Sequence, residues 1–351
     1  MRRWKCKTEG IGITRYYTFA HRTTKITIVT IEEASDEVLT ATVSEASAGE
    51  RFDKVLPRIF PPYSRSQLQA WLKEGRVRLD GDIPAGRLMV CGGEVVSLDV
   101  PPLPVSDWLP ESMPIPVVYE DAHIAVIDKP AGWVVHPGAG NAAGTLANAL
   151  LYRFPQVSGL PRAGIVHRLD KDTSGLLVVA LSELARSELI RALEAREIKR
   201  EYLAVVNGCP ITGGAVDAPI GRHPRNRLKM AVTDRGRPAL TDYRVKDRFR
   251  GQGLLAVTLQ TGRTHQIRVH MSHAGFPLVG DPLYGGRVQL PPKPDAELIT
   301  VLQQFPRQAL HARALALQHP VTQEGLSWES PVPADLAELI RILAADMESN
   351  R

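Results

Sequence analysis

Between Pro101 and Pro116 the chain carries six prolines, and that cluster sets the first limit on what it can fold into. Proline fixes its own φ and donates no backbone hydrogen bond, so the segment cannot enter the interior of a sheet on either side. It reads as an extended linker over residues 101–116 between two folding units. The length of 351 residues agrees, because single cores rarely grow past about 250–300 residues. Apolar residues make up 44% and charged residues 23%, the values of an ordinary soluble globular protein. No apolar run approaches the ~20 residues of a membrane span, and no membrane partner is expected. Cys6, Cys91 and Cys209 are far apart, with no C-x-x-C pair. That argues against a disulfide framework and a structural zinc site and suits a reducing, cytoplasmic location.

Lys and Arg outnumber Asp and Glu by 43 to 38. An excess of this size is compatible with a polyanionic partner and equally with a small-molecule substrate, so the distribution matters more than the total. Residues 1–31 hold seven Lys/Arg and one acid, Glu9, with no apolar stretch before a cleavage site, so they are not a secretory signal. A targeting peptide is one reading. Residues 1–38 are expected instead to be a disordered extension or to lie outside the functional protein. From residue 39 to 100 the pattern is that of a compact basic module. "GERFDKVLPRIF" spaces Phe52, Val55, Leu56 and Ile59 along one helical face. "YSRSQLQAWLKEG" offers Ser64 or Ser66 as N-cap, Gly75 as a stop, and Leu68, Trp71 and Leu72 on one side. "RVRLDGD" and "EVVSLDV" read as short strands, the first ending in an Asp80-Gly81 turn. Arg65, Lys73, Arg76 and Arg78 cluster around the second helix and the strand after it.

The second unit is expected over residues 117–343, followed by a tail at 344–351. "VVYEDAHIAVIDKPAG" predicts two strands around a turn, and "ELARSELIRALEARE" a helix capped by Ser182. Strands and helices do not alternate regularly, so the fold class is α+β with a mixed, largely antiparallel sheet. "GAGNAAG" has the wrong spacing for a dinucleotide loop and lacks the acidic residue after a second strand. No P-loop sequence occurs. His265, His270 and His273 lack the spacing and the carboxylate of a metal site, and read as histidines making local hydrogen bonds, with Thr264 as the helix cap. No metal and no cofactor is expected.

The most unusual stretch is "GIVHRLDKDTSGLLVVA", where a run dense in ionisable groups opens onto an apolar strand. Its His-Arg opening echoes a kinase catalytic loop, but the other kinase motifs are missing. An isolated loop of this kind is more often an Arg168–Asp170 staple than a catalytic element. Two further stretches bear on that reading. "REIKREYLAVV" puts Tyr202 at the head of a strand, and "TGRTHQIRVHMSHAGFPLVGDPLYG" supplies Arg263 and Arg268. Together with the loop these resemble the three motifs of the RluA-type pseudouridine synthases, and "VVHPGAGN", "IGRHPRNRLKMAV", "DPLYGGR" and "RQALHA" fit as well. The resemblance runs from about Leu39 over nearly the whole chain. The helix–helix–strand module is similar to the S4-type RNA-binding module, with Asp80 where that family usually has Asn.

The resemblance implies an enzyme that isomerises uridine to pseudouridine in large-subunit ribosomal RNA, in the hairpin loop known as helix 69. It needs no cofactor and no obligate protein partner. It implies Asp170 as the essential carboxylate, Arg268 as the guanidinium that keeps a desolvated carboxylate ionised, and Tyr202 as the ring against the target uracil. Arg168 would enter the RNA stack as the base leaves, while Arg263 and the basic residues of the S4-like module would hold phosphates. Two alternatives remain: the same chemistry on transfer RNA or another large-subunit site, and a non-catalytic RNA-binding assembly factor. His167, Lys171 and Asp172 have no role at this level.

Overall fold

The computed structural model describes residues 38–350 apart from 61–62, 64, 86, 102–107, 139–140 and 227. The expected extension (but for Val38), the Ser64 cap and the centre of the proline segment lie outside the described residues. The chain divides near residue 104 into two compact units.

The N-terminal unit contains β1 (Val38–Thr42), α1 (Phe52–Ile59), α2 (Arg65–Lys73), β2 (Val77–Leu79) and β3 (Val95–Asp99). Its sheet is antiparallel in the order β1-β3-β2. Val38, expected in the extension, is the first residue of β1. Ser66 lies inside α2 and is therefore not its N-cap. Phe52, Val55 and Leu56 of α1 and Leu68, Trp71 and Leu72 of α2 meet Val77, Val96 and Leu98 of the sheet in one core, the faces that the helical spacing predicts. In the turn after β2, Asp80 takes φ 51°, and its Oδ1 accepts from Val95 N–H at 2.8 Å. Asp and Asn both tolerate this left-handed conformation and both supply that acceptor, so the Asp80 departure keeps the turn.

The second unit holds β4 (Val117–Glu120), β5 (Ile124–Lys129), α3 (Leu146–Arg153), β6 (Ser174–Ala180), α4 (Glu183–Glu194), β7 (Lys199–Asn207), β8 (Gly214–Asp217), β9 (Ile220–Arg222) and β10 (Met230–Val232). It continues with β11 (Leu240–Arg248), β12 (Gln252–Leu259), α5 (Gln266–His273), α6 (Ala296–Gln304), β13 (Leu310–Gln318), β14 (Gly325–Glu329) and α7 (Ala334–Ser349). The large sheet runs β4-β5-β6-β13-β7-β12-β11-β8, with β14 on the far half of β13. Among the described residues every pairing in it is antiparallel except β6 with β13. The sheet is thus largely antiparallel, and β9 and β10 form a separate hairpin. One face packs Ala125, Ile127, Leu177, Tyr202, Ala204, Leu255 and Val257 against α3 and α5.

Two further boundaries differ from the sequence reading. Residues 344–349, expected as a tail, complete α7, whose Leu336, Leu339, Ile342 and Leu343 are buried against α6. Residues 108–116 are not a free linker. Trp108 stacks on His136, and the Asn148 side chain donates to the Leu109 carbonyl at 2.8 Å. Proline kept the segment out of the sheets, but aromatic and backbone polar groups still found partners on the second unit.

Candidate active site

Parallel strands begin at the same edge of a sheet. The parallel pairing of β6 with β13 therefore sets the loop that leads into β6 beside the segment that leads into β13. Each segment supplies what the other lacks. Arg307 Nη1 donates to the Asp172 carbonyl at 3.2 Å, Gln308 Nε2 to Thr173 Oγ1 at 3.1 Å, and His311 shares a hydrogen bond with Ser174 Oγ at 3.0 Å. Arg307 is itself fixed by Asp335, at 2.6 and 2.8 Å. At Gly175, φ is +110° and a Cβ would collide with the Ala312 carbonyl, so only glycine lets β13 approach this closely.

From the other side the loop is held by β5. Lys129, wholly buried, donates to the carbonyls of Pro130, Trp133 and Lys171 at 2.8, 3.1 and 2.9 Å. Burial pulls its ammonium down to about 7, while Asp172 and Asp170 oppose that fall. His167 Nε2 accepts from Val178 N–H at 3.1 Å. Burial, reinforced by Arg200, pushes this imidazole down to about 3, so it is neutral. His167, Lys171 and Asp172, which had no role in the sequence, are thus the groups by which the loop is anchored.

In front of the loop stands Arg268 of α5. Its Nη1 donates to Asp170 Oδ2 at 3.1 Å, and its Nε and Nη2 grip Asp281 at 2.7 and 2.8 Å. Burial would raise the Asp281 carboxyl. The Arg268 fork and the N–H groups of Leu283 and Tyr284 outweigh it and hold the group below its ordinary value. Arg268 is raised in turn, against the cost of its own burial, by Asp281 and Asp170. A guanidinium with one carboxylate bound on two nitrogens has a fixed direction for the third, and that direction is Asp170.

Tyr202 lies in β7, paired with Ala312 on one side and Val257 on the other. Lys129, Gly175, Ala312 and Tyr202 form one row across the sheet. That puts Tyr202 two strands, roughly 10 Å, from the strand that Asp170 leads into. The residue is 5% exposed, and burial, with Asp170 adding to it, raises the phenol above its ordinary value. Arg168 is exposed at the loop surface. Burial first and the Arg168 charge after it lower His136, and Arg168 adds last, after burial and Arg268, to the lowering of His265. Arg263 is half-buried and donates to the Pro238 carbonyl at 3.1 Å.

The remaining expected RNA-binding residues belong to the N-terminal unit. Arg65 is 3.7 Å from Asp53, Arg76 is 2.9 Å from Asp99, Arg78 donates to the Gly81 carbonyl at 3.0 Å, and Lys73 is exposed.

One expectation about the histidines needs correcting. Thr264 does not cap α5; His265 does, with φ 57°, and its side chain makes no capping bond. The left-handed residue turns the chain and frees the imidazole to face Asp170, with Nε2 3.9 Å from Oδ1. His270 is a buried hydrogen-bonding histidine, but its partners are distant in sequence: Thr241 Oγ1 and the Ala218 carbonyl, both at 2.9 Å. The sequence reading missed Asp281, Tyr284, Lys129 and Arg307 as well. "DPLYGGR", "RQALHA" and the "DKPAG" turn contain all four, but nothing in a linear pattern says which loop they would touch. An open groove of about 860 Å³ between β11 and α7 contains none of these residues.

Comparison with known proteins adds three kinds of finding. Residues 123–273 match the family model described as RNA pseudouridylate synthase. The chain is 51% identical over 301 residues, 86% of its own length and 94% of the relative's, to the ribosomal large subunit pseudouridine synthase D of Pseudomonas aeruginosa. It is 48% identical over 314 residues, 89% and 96% of the two lengths, to the protein of that name from Escherichia coli K12. Among solved structures, human RNA Pseudouridylate Synthase Domain Containing 4 superposes with a TM-score of 0.51 at 26% identity, covering 65% of this chain and 93% of the human one.

Proposed function

The chain belongs to the RNA pseudouridylate synthase family and is an RNA pseudouridine synthase, an isomerase; from that premise we propose that it acts on large-subunit ribosomal RNA, at the helix 69 hairpin loop, with Asp170 as the essential carboxylate. The ribosomal substrate rests on the named function of relatives that match nearly end to end. The observation that carries the assignment of Asp170 is its setting: its loop is held at the next two carbonyls by Lys129 of β5 and by Arg307 ahead of β13, and its carboxylate is met by an arginine already locked on a second carboxylate.

The isomerisation breaks the N1–C1′ bond and makes a C5–C1′ bond; the proton at C5 leaves and N1 gains one. No redox change occurs. Asp170 serves as nucleophile on C1′ or on uracil C6, or as the base that opens an elimination at the ribose. Arg268 holds Oδ2, which leaves Oδ1 for the substrate. Tyr202, its phenol kept protonated by burial, faces the uracil and helps to move the C5 proton. The reacting atoms of a stacked base are out of reach, so the nucleotide flips out, most cheaply from a hairpin loop, and Arg168 takes its place in the stack. Arg263 and the Arg65, Lys73, Arg76 and Arg78 cluster of the S4-like module bind phosphates.

Release of tritium from RNA labelled at uridine C5 tests the chemistry. Asp170→Asn is expected to lose at least about 1,000-fold in rate while binding RNA within about tenfold of the parent. Undiminished release by that variant would overturn the role of Asp170. Mapping pseudouridines in cells with and without the gene tests the target, and loss of a transfer-RNA site in place of a large-subunit one would overturn it.

A further inference from the structure

The carboxylate oxygens of Asp170 have different neighbours. Oδ2 receives Arg268 Nη1 at 3.1 Å, whereas Oδ1 faces His265 Nε2 at 3.9 Å. That second distance is too long for a direct hydrogen bond, yet only a small movement of either side chain closes it. His265 Nδ1 lies 2.9 Å from Tyr284 Oη, and Tyr284 Oη accepts the backbone N–H of Met230 at 2.8 Å. With one lone pair engaged by Met230, the Tyr284 hydroxyl has its own proton free to donate to Nδ1. An imidazole that accepts at Nδ1 carries its hydrogen on Nε2. The same tautomer is the one that points a donor, not a lone pair, at a carboxylate oxygen. Tyr284 also touches the other partner of Asp170: the Arg268 guanidinium sits 5.1 Å from the centre of its ring.

We infer that Tyr284 and His265 form a positioning relay for Asp170, in which Tyr284 fixes the imidazole tautomer and His265 presents a neutral Nε2–H to Oδ1. Backbone geometry supports a role beyond packing. His265 holds a left-handed φ of 57° without using its side chain to cap α5, a conformation that is costly for a non-glycine residue and is retained where the surroundings demand it. A neutral donor orients Oδ1 and releases it to the substrate. An imidazolium would hold it in a salt bridge. The charged and titratable groups around His265 are Asp170 and Arg168 from the loop, Arg268 from α5, and Asp281 and Tyr284 from the turn after it, with Lys229 5.8 Å above the Tyr284 ring. Burial first, then Arg268 and Arg168, lower the imidazole from its ordinary value, and Asp170 and Asp281 oppose them. The neutral form therefore persists to below the usual histidine range, and the rate falls as pH drops through that point.

The inference rests on the assignment of Asp170, and the test separates the two. Both kcat and KM are measured on unmodified RNA from pH 5 to 8 for the parent, His265→Asn, Tyr284→Phe and Asp170→Asn. Asparagine tolerates a left-handed φ, so His265→Asn removes the imidazole and keeps the turn. A fall in kcat of about 10–100-fold, KM within about twofold, and loss of the acidic limb of the pH profile are expected. Tyr284→Phe is expected to give a smaller fall and a displaced acidic limb. Parent-like kcat, or an unmoved acidic limb, in folded His265→Asn overturns the relay. If that variant does not fold, Tyr284→Phe decides by the same criteria. Activity in Asp170→Asn overturns the reading of Asp170 instead, whatever the other variants do.

Discussion

Two sets of arginines, one in each unit of this protein, live in opposite electrical settings. Arg65, Arg76 and Arg78 of the N-terminal unit are partly or largely exposed, and the acidic partners of Arg76, Asp99 and Glu74, are exposed too. In the second unit Arg268 and Arg307 have side chains 5% and 6% exposed, and each is bound on two nitrogens by one carboxylate. Exposed charge is screened and can exchange a weak protein partner for an RNA phosphate. Buried charge cannot leave its partner without a large desolvation cost, so it sets geometry. One kind of arginine suits binding and the other suits holding a reacting group in place.

The largest expected effect comes from unpairing the buried set. Asp281→Asn leaves Arg268 with Asp170 as its only carboxylate, and a loss of roughly 3–5 kcal/mol in unfolding free energy is expected, together with loss of isomerase activity. Urea unfolding beside the tritium-release assay checks both, and a variant with parent stability would break the contrast. A middle-sized effect concerns pH. His167 is neutral when folded because burial pushes it down to about 3, while the unfolded chain binds its proton near 6.5. Between those values the unfolded state carries more protons, so stability rises with pH across the window and is lost as pH falls through it. The contribution is up to about 1.4 kcal/mol per pH unit. His167→Gln keeps an acceptor for Val178 N–H and removes the titration, so its unfolding free energy is expected to vary less steeply between about pH 6.5 and 4. The smallest effect belongs to the exposed set. Arg76→Gln or Arg78→Gln is expected to leave the unfolding midpoint in place and to weaken RNA binding a few-fold. The slope of log affinity against log salt should become shallower by about 0.7–0.9 for each phosphate that is no longer neutralised. A shift in stability there, with salt dependence unchanged, would blur the distinction.

Much of this was readable in the chain. The apolar spacing of Phe52, Val55, Leu56, Leu68, Trp71 and Leu72 predicts the helical faces that are buried, and Ser182 caps its helix by accepting Ala185 N–H. Irregular strand and helix order predicts the mixed, largely antiparallel sheet. Within the site, Asp170 and Arg268, 98 residues apart in sequence, are joined as expected from motif resemblance. His265 was read as a local hydrogen-bonder. Its bond goes to Tyr284, 19 residues on, and a positive φ that no spacing rule predicts turns it toward Asp170.

By itself the sequence determined the helical faces of the N-terminal unit and the division at the prolines, and through motif resemblance it singled out one carboxylate, because periodicity, turn chemistry and ordered motifs are local properties. Tertiary structure alone decided what surrounds that carboxylate. The parallel pairing of β6 with β13 brings Arg307 and Gln308 beside residues 172 and 173, and one helix turned at His265 carries Arg268 between Asp170 and Asp281. Pairings between segments so far apart in sequence leave no period in a chain; burial and charge pairing fix them only once the sheet has formed.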